Sequence, residues 1–200
     1  MTTNQLCSLR EVVGLSHEPA NLENSALIMI DCQNTYIHGV MRLSGMNEAL
    51  QEAEKLLKIA REKSVPIFHI RHDGGQGSPY DINSEIGAFI EQVAPKSGEP
   101  VITKHYPNSF IQTDLDAQLK AHGIEQIILA GFMTHMCINS TAHGAFNLGY
   151  LPTVVASATA TRSLVGANGQ IIKAEDVQAS AIASTRDLYA AIADTVEAII

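Results

Sequence analysis

Apolar residues along the chain fall into short unbroken runs separated by longer periodic stretches. Ala26-Leu27-Ile28-Met29-Ile30 is continuously apolar and ends at Asp31. A run without polar alternation predicts a strand buried on both faces, as in parallel sheets. Residues 47–63 place Ala49, Leu50, Ala53, Leu56, Leu57 and Ala60 at helical spacing, with Glu48, Glu52, Lys55 and Glu62 on the wet side. Residues 65–70 read as a second strand with Pro66 near its start, and Gly74, Gly75, Gly77 and Pro79 mark a long loop after it. Residues 100–103 form a third strand running into Lys104. Thr113-Asp114-Leu115-Asp116 predicts a capping box opening a helix that Gly123 closes. Residues 127–131 are a fourth strand, followed by a helix from about Thr134 to Leu148 that stops at Gly149. A fifth strand over 152–156, a helix near 174–187 and a weak sixth strand near 189–193 complete the pattern.

Strands alternating with helices predict an α/β fold: one three-layer α/β/α domain around a six-stranded, mainly parallel sheet of Rossmann-like topology. Residues 1–24 read as a polar, irregular N-terminal arm and 25–200 as the single domain. Sites in such sheets lie beyond the carboxyl ends of the strands. Asp31 follows the first strand, Lys104 the third, and Cys137 stands just past the fourth, so the three are expected within a few ångströms of each other.

Composition narrows the function. The 200 residues are 46% hydrophobic and 17% charged, ordinary for a folded domain. A net charge of −8 repels phosphate backbones, so no nucleic-acid partner is expected. No apolar run is long enough for a signal peptide or a membrane span, and Cys7, Cys32 and Cys137 are too few for a disulfide framework. The expectation is a cytoplasmic protein in a reduced compartment, off the membrane.

Cys137 sits in a strand-to-helix turn, Gly131-Phe132-Met133-Thr134-His135-Met136-Cys137. A helix N-terminus favours the thiolate, and its free N–H groups can hold an oxyanion. The competing reading is a small buried core residue. Asp31 is a general base or a turn-capping aspartate, and Lys104 a site cation or a solvated surface lysine. Cys32 is read as structural, pointing away from Asp31 into the core.

The motifs resemble those of the isochorismatase-like cysteine hydrolases. Residues 28–36 resemble that family's D-x-Q-x-x-F signature, Val101 to Lys104 followed by Ser109-Phe110 its lysine motif, and Gly131 to Cys137 its G-x-x-T-x-x-C block. The likeness runs from about Ala26 to Thr161. It implies a hydrolase of small amide, ureido or related C–N substrates working through a thioester. Cys137 would be the nucleophile, Asp31 the base and then acid, and Lys104 the cation. The N–H groups of Met133 and Cys137 would form the oxyanion hole, with a cis peptide at Phe132–Met133. Gln33, Tyr36, His72, Phe110 and His135 are the candidate substrate contacts. A small-molecule substrate and a homo-oligomer are implied, the apolar end Val196–Ile200 helping at an interface, and specificity is expected in loops 72–99, 105–112 and 160–170.

Departures from the family matter too. The metal motif of its nicotinamidases, D-x-H-P-x-x-H, is absent: Asp73 has no histidine after it until His105, so no metal and no cofactor are expected. Ser157 stands where the family often has an acidic residue. Two readings compete with amide hydrolysis: isochorismatase-type vinyl ether cleavage with Asp31 as the acid, and a redox thiol protein using Cys137. A catalytically idle member that merely assembles oligomers is a third.

Overall fold

The computed structural model describes residues 6–200. The chain forms α1 (Leu9–Val12), β1 (Ala26–Ile30), α2 (Met46–Glu62), β2 (Ile67–His72), β3 (Val101–Lys104), α3 (Leu115–Ala121), β4 (Gln126–Phe132), α4 (Asn139–Asn147), β5 (Leu151–Ala160), β6 (Leu164–Val165), β7 (Ile171–Ile172), α5 (Ala174–Asp187) and β8 (Ala191–Ala193). Six strands make one sheet in the order β3-β2-β1-β4-β5-β8, and every neighbouring pair in it is parallel. The expected mainly parallel α/β architecture is present, with the sheet parallel throughout.

The unbroken apolar run of β1 explains the layers. All five residues are buried. Leu27 and Met29 pack on one side with Ala53, Leu56 and Leu57 of α2, while Ala26, Ile28 and Ile30 pack on the other with Leu115 and Leu119 of α3 and Ala142 and Ala145 of α4. Side chains alternate across a strand, so a strand between two helical layers needs apolar residues at every position. Each large aliphatic side chain buried this way is worth about 1.5–3 kcal/mol.

Several expectations change. The arm, of which residues 1–5 lie outside the described residues, carries one regular turn: Ser8 and Glu11 form a capping box on α1, and Arg10 is buried, donating to the Leu188 carbonyl at 2.9 Å. The S-x-x-E spacing was there to be read. No capping box forms at Thr113, whose hydroxyl donates to the Ser109 carbonyl at 2.6 Å, and α3 starts at Leu115 after Asp114 with no side-chain cap. β5 continues to Ala160 through a bulge, since Leu129 pairs with Val154 but Gly131 with Thr159. The two-residue strands β6 and β7 pair antiparallel inside the 160–170 loop, too short to give a periodic signal.

Much of the apolar character of the C-terminal stretch is spent inside the chain: Val196 and Ile199 are buried in the core layer of α2, leaving Ala198 and Ile200 exposed. Ser157 lies on that side as well, its hydroxyl donating to Glu52 of α2 at 3.0 Å. No described helix is long and apolar enough to cross a membrane.

Candidate active site

Two backbone features bring the reactive groups together. Asp31 leaves β1 with φ 51°, in the left-handed region that only glycine, asparagine and aspartate visit readily. Its N–H still donates to the Ile70 carbonyl at 2.9 Å, so the ladder is kept while the chain turns out of the strand. Next to it, Gly131 of β4 has φ 118°, and a Cβ there would lie 2.0 Å from the Ile30 carbonyl oxygen. Only glycine permits that approach, and it sets the 132–137 turn against Asp31. The Phe132–Met133 peptide is cis. Residues 134–138 form a π-helical turn before α4 begins, and the Met133 carbonyl accepts from the N–H groups of Met136 and Ile138 at 3.1 and 3.2 Å.

Lys104 reaches the same point from β3, across β2. It is fully buried, not the solvated lysine of the competing reading. Its Nζ lies 2.8 Å from Asp31 Oδ2, 3.3 Å from Cys137 Sγ and 3.3 Å from His72 Nδ1. An ammonium has three N–H donors and no acceptor; Cys137 and His72 take two of them as hydrogen bonds, and Asp31 is met as an ion pair. Asp31 is also fully buried, and neither of its carboxyl oxygens has a hydrogen-bond partner among the described residues. Cys137 is buried with them, at 5% exposed.

The electrostatics differ from the sequence expectation for Cys137. Burial pushes its thiol up from the ordinary value, the Asp31 carboxylate pushes it further, and Lys104 opposes both. The resting group is therefore a thiol beside a base, not a free thiolate. For Lys104, burial disfavours the charged form, but the surrounding Asp31 and Cys137 outweigh it and hold the ammonium above its usual value.

Around the triad the predicted contacts separate. Tyr36 is buried with its ring 5.9 Å from that of Tyr80 and 5.8 Å from that of Phe132, and its phenol is raised by burial and by Asp31. His72 is half-buried against the edge of Tyr80, and burial followed by Lys104 lowers its ring below the ordinary histidine value. His135 bonds through Nδ1 to the Thr161 hydroxyl, and burial followed by Arg162 lowers it. Gln33 is fully buried with its amide committed to backbone: Nε2 donates to the carbonyls of His72 and Gly87, and Oε1 accepts from the His72 N–H. Gln33 braces the site rather than opening onto it. Phe110 stacks on Tyr150 and packs against the core layer of α3 and α4, the layer that also holds Cys137. Cys32 is buried among the core residues facing α2.

Two residues escaped sequence reasoning. Tyr80 comes from the loop after β2 and stands between His72 and Tyr36. Arg162 follows Thr161 at the carboxyl end of β5, close enough to act on both Tyr80 and His135. Its buried Nε has no hydrogen-bond partner among the described residues. Arg162 is the single charged residue between Leu151 and Ile172; a lone cation at a strand's carboxyl end was a usable signal.

Known proteins resemble this chain in sequence and fold. The isochorismatase domain model matches residues 25–196. The isochorismatase family protein YddQ of Bacillus subtilis is 37% identical over 174 residues, covering 86% of this chain and 96% of the relative. Maleamate amidohydrolase of Pseudomonas putida is 31% identical over 166 residues, 72% of each chain. The crystal structure of an isochorismatase from Pseudomonas putida KT2440 superposes with a TM-score of 0.93 at 35% identity, covering 98% of this chain and all of that one. The chain belongs to the isochorismatase family.

Proposed function

We propose that the protein is a cysteine hydrolase of small carboxylate-bearing amides or related C–N compounds, with Asp31, Lys104 and Cys137 as its catalytic residues. The observation that carries this is the buried ammonium of Lys104 held between Asp31 Oδ2 at 2.8 Å and Cys137 Sγ at 3.3 Å. The Cys137 proton passes to the Asp31 carboxylate, whose oxygens accept no hydrogen bond from the described residues. Sγ then attacks the carbonyl carbon, and the carbonyl π pair moves to oxygen, where the N–H groups of Met133 and Cys137 receive it. The tetrahedral adduct collapses to a thioester as Asp31 returns the proton to the departing amine. Water, deprotonated by Asp31, cleaves the thioester and restores the thiol. Lys104 stays charged throughout and offsets the negative charge that builds on sulfur. Tyr36, Tyr80 and His135 are the candidate walls for the substrate.

The carboxylate follows from Arg162. A guanidinium cannot lose its proton and presents a planar fork of donors suited to a carboxylate. Here the guanidinium acts on Tyr80 and His135, and its buried Nε has no partner among the described residues. The maleamate amidohydrolase relative, whose named substrate is an amide bearing a carboxylate, supports the same class.

Vinyl ether cleavage with Asp31 as the acid is the second reading, favoured by the likeness to the Pseudomonas putida isochorismatase. It needs a proton donor but no nucleophile, and it leaves the Lys104–Cys137 contact without a task. Kinetics on maleamate, a neutral amide of similar size, a ureido acid and isochorismate separate the readings. Release of ammonia from the anionic amides, lost in Cys137→Ala, supports the proposal. Turnover of isochorismate that survives in Cys137→Ala refutes it.

A further inference from the structure

Lys104 also bonds a group outside the catalytic pair, His72, whose Nδ1 lies 3.3 Å from its Nζ. These two residues are cross-strand partners in the parallel β2–β3 register, so their side chains leave the sheet on the same face. The backbone of His72 is gripped on both sides by Gln33, whose Oε1 accepts from the His72 N–H at 2.9 Å while its Nε2 donates to the His72 carbonyl at 3.0 Å. The ring is packed at 5.1 Å against Tyr80. An acceptor held this firmly, 3.3 Å from a buried ammonium, fixes where that ammonium can sit.

We propose that His72 is a positioning residue: its neutral ring, accepting through Nδ1, holds Lys104 against Asp31 and Cys137, and its protonation releases Lys104 and switches the site off in acid. This rests on the cysteine-hydrolase reading of the same site. An imidazolium carries N–H on both ring nitrogens, so it has no lone pair for Lys104 and sets a like charge against it. The charged groups facing the ring are Lys104 and His105 from β3 and the residue after it, Asp31 from β1, and Asp73 next in the chain. Burial first, then Lys104, with His105 adding to them, outweigh Asp31 and Asp73 and leave His72 below the ordinary histidine value of about 6.5. The ring is therefore neutral and accepting at pH 7, and the loss of activity falls on the acid side of that value.

The test compares wild type with His72→Ala and His72→Asn, the latter keeping an uncharged acceptor near the Nδ1 position. Two readouts are taken from pH 4.5 to 8: kcat and KM on an anionic amide, and the rate at which iodoacetamide alkylates Cys137. His72→Ala is expected to lose about tenfold or more in kcat with KM unchanged, and to alkylate more slowly at neutral pH. His72→Asn is expected to recover most of that kcat and to move the acid limb to lower pH. A rise in KM with kcat intact makes His72 a substrate contact and overturns the proposal, as does an acid limb in His72→Asn that coincides with wild type. Alkylation needs no substrate. If no amide is turned over, slower labelling in His72→Ala alone sustains the positioning role, and labelling equal to wild type ends it.

Discussion

Replacing Lys104 by methionine isolates what the buried ammonium does for the fold. The methionine chain fills most of the same space, so the loss is electrostatic. Asp31 is fully buried, with Lys104 Nζ at 2.8 Å as its cation. Removing one partner of a buried pair typically costs about 3–5 kcal/mol. Without Lys104, Asp31 is left in the core with no cation beside it, and the loss expected at pH 7 is of that size, about 3–5 kcal/mol. Urea unfolding of Lys104→Met and wild type at pH 7, at equal protein concentration, measures it. A difference under about 1 kcal/mol refutes a buried Asp31 that depends on Lys104.

Three further outcomes are expected. Asp31→Asn keeps the size of the side chain but cannot accept the thiol proton, and should lower kcat by about 10²–10⁴-fold without unfolding the protein, as read by steady-state kinetics beside circular dichroism. Arg162→Met should raise KM for carboxylate-bearing amides while leaving KM for neutral amides unchanged, which a paired substrate series will show. Away from the site, Arg61 first, with the Lys96 N–H and His69 assisting, holds the carboxyl of Glu99 down at about 2. Glu99 thus contributes on the order of 2–3 kcal/mol of stability that is present above about pH 4.3 and is lost as pH falls toward 2. Glu99→Gln should remove that contribution at pH 7 and flatten the acid limb of a stability-versus-pH curve.

Much of this molecule is written in local pattern. The run Ala26–Ile30 announces a strand between two layers because both faces must be apolar, and the spacing from Ala49 to Ala60 announces α2 because one stripe must be. Asp31, Lys104 and Cys137 are legible for a different reason: each follows a strand, and parallel strands deliver their carboxyl ends to one edge. What sequence could not give is the direction of individual side chains. Gln33 and Phe110 sit near the motifs, yet one is spent on the backbone of His72 and Gly87 and the other on Tyr150. Contacts between loops distant in sequence were equally hidden, so Tyr80 and Arg162 emerge only once β2 and β5 stand in place. The protonation of Cys137 was misjudged because helix position favours a thiolate, whereas burial and the adjacent carboxylate, both tertiary features, oppose it. Val196 and Ile199 read as an interface because a short apolar end has no visible partner until α2 is packed over it.

The central claim is a covalent acyl group on Cys137. Wild-type protein mixed with an anionic amide, quenched in acid within the first turnovers and examined by intact mass and peptide mapping, tests it directly. The account predicts an adduct equal to the substrate less its leaving amine, on the peptide that contains Cys137, cleaved by hydroxylamine as a thioester is and absent in Cys137→Ala. Full hydrolysis by Cys137→Ala, or an adduct carried by any other residue, would contradict it.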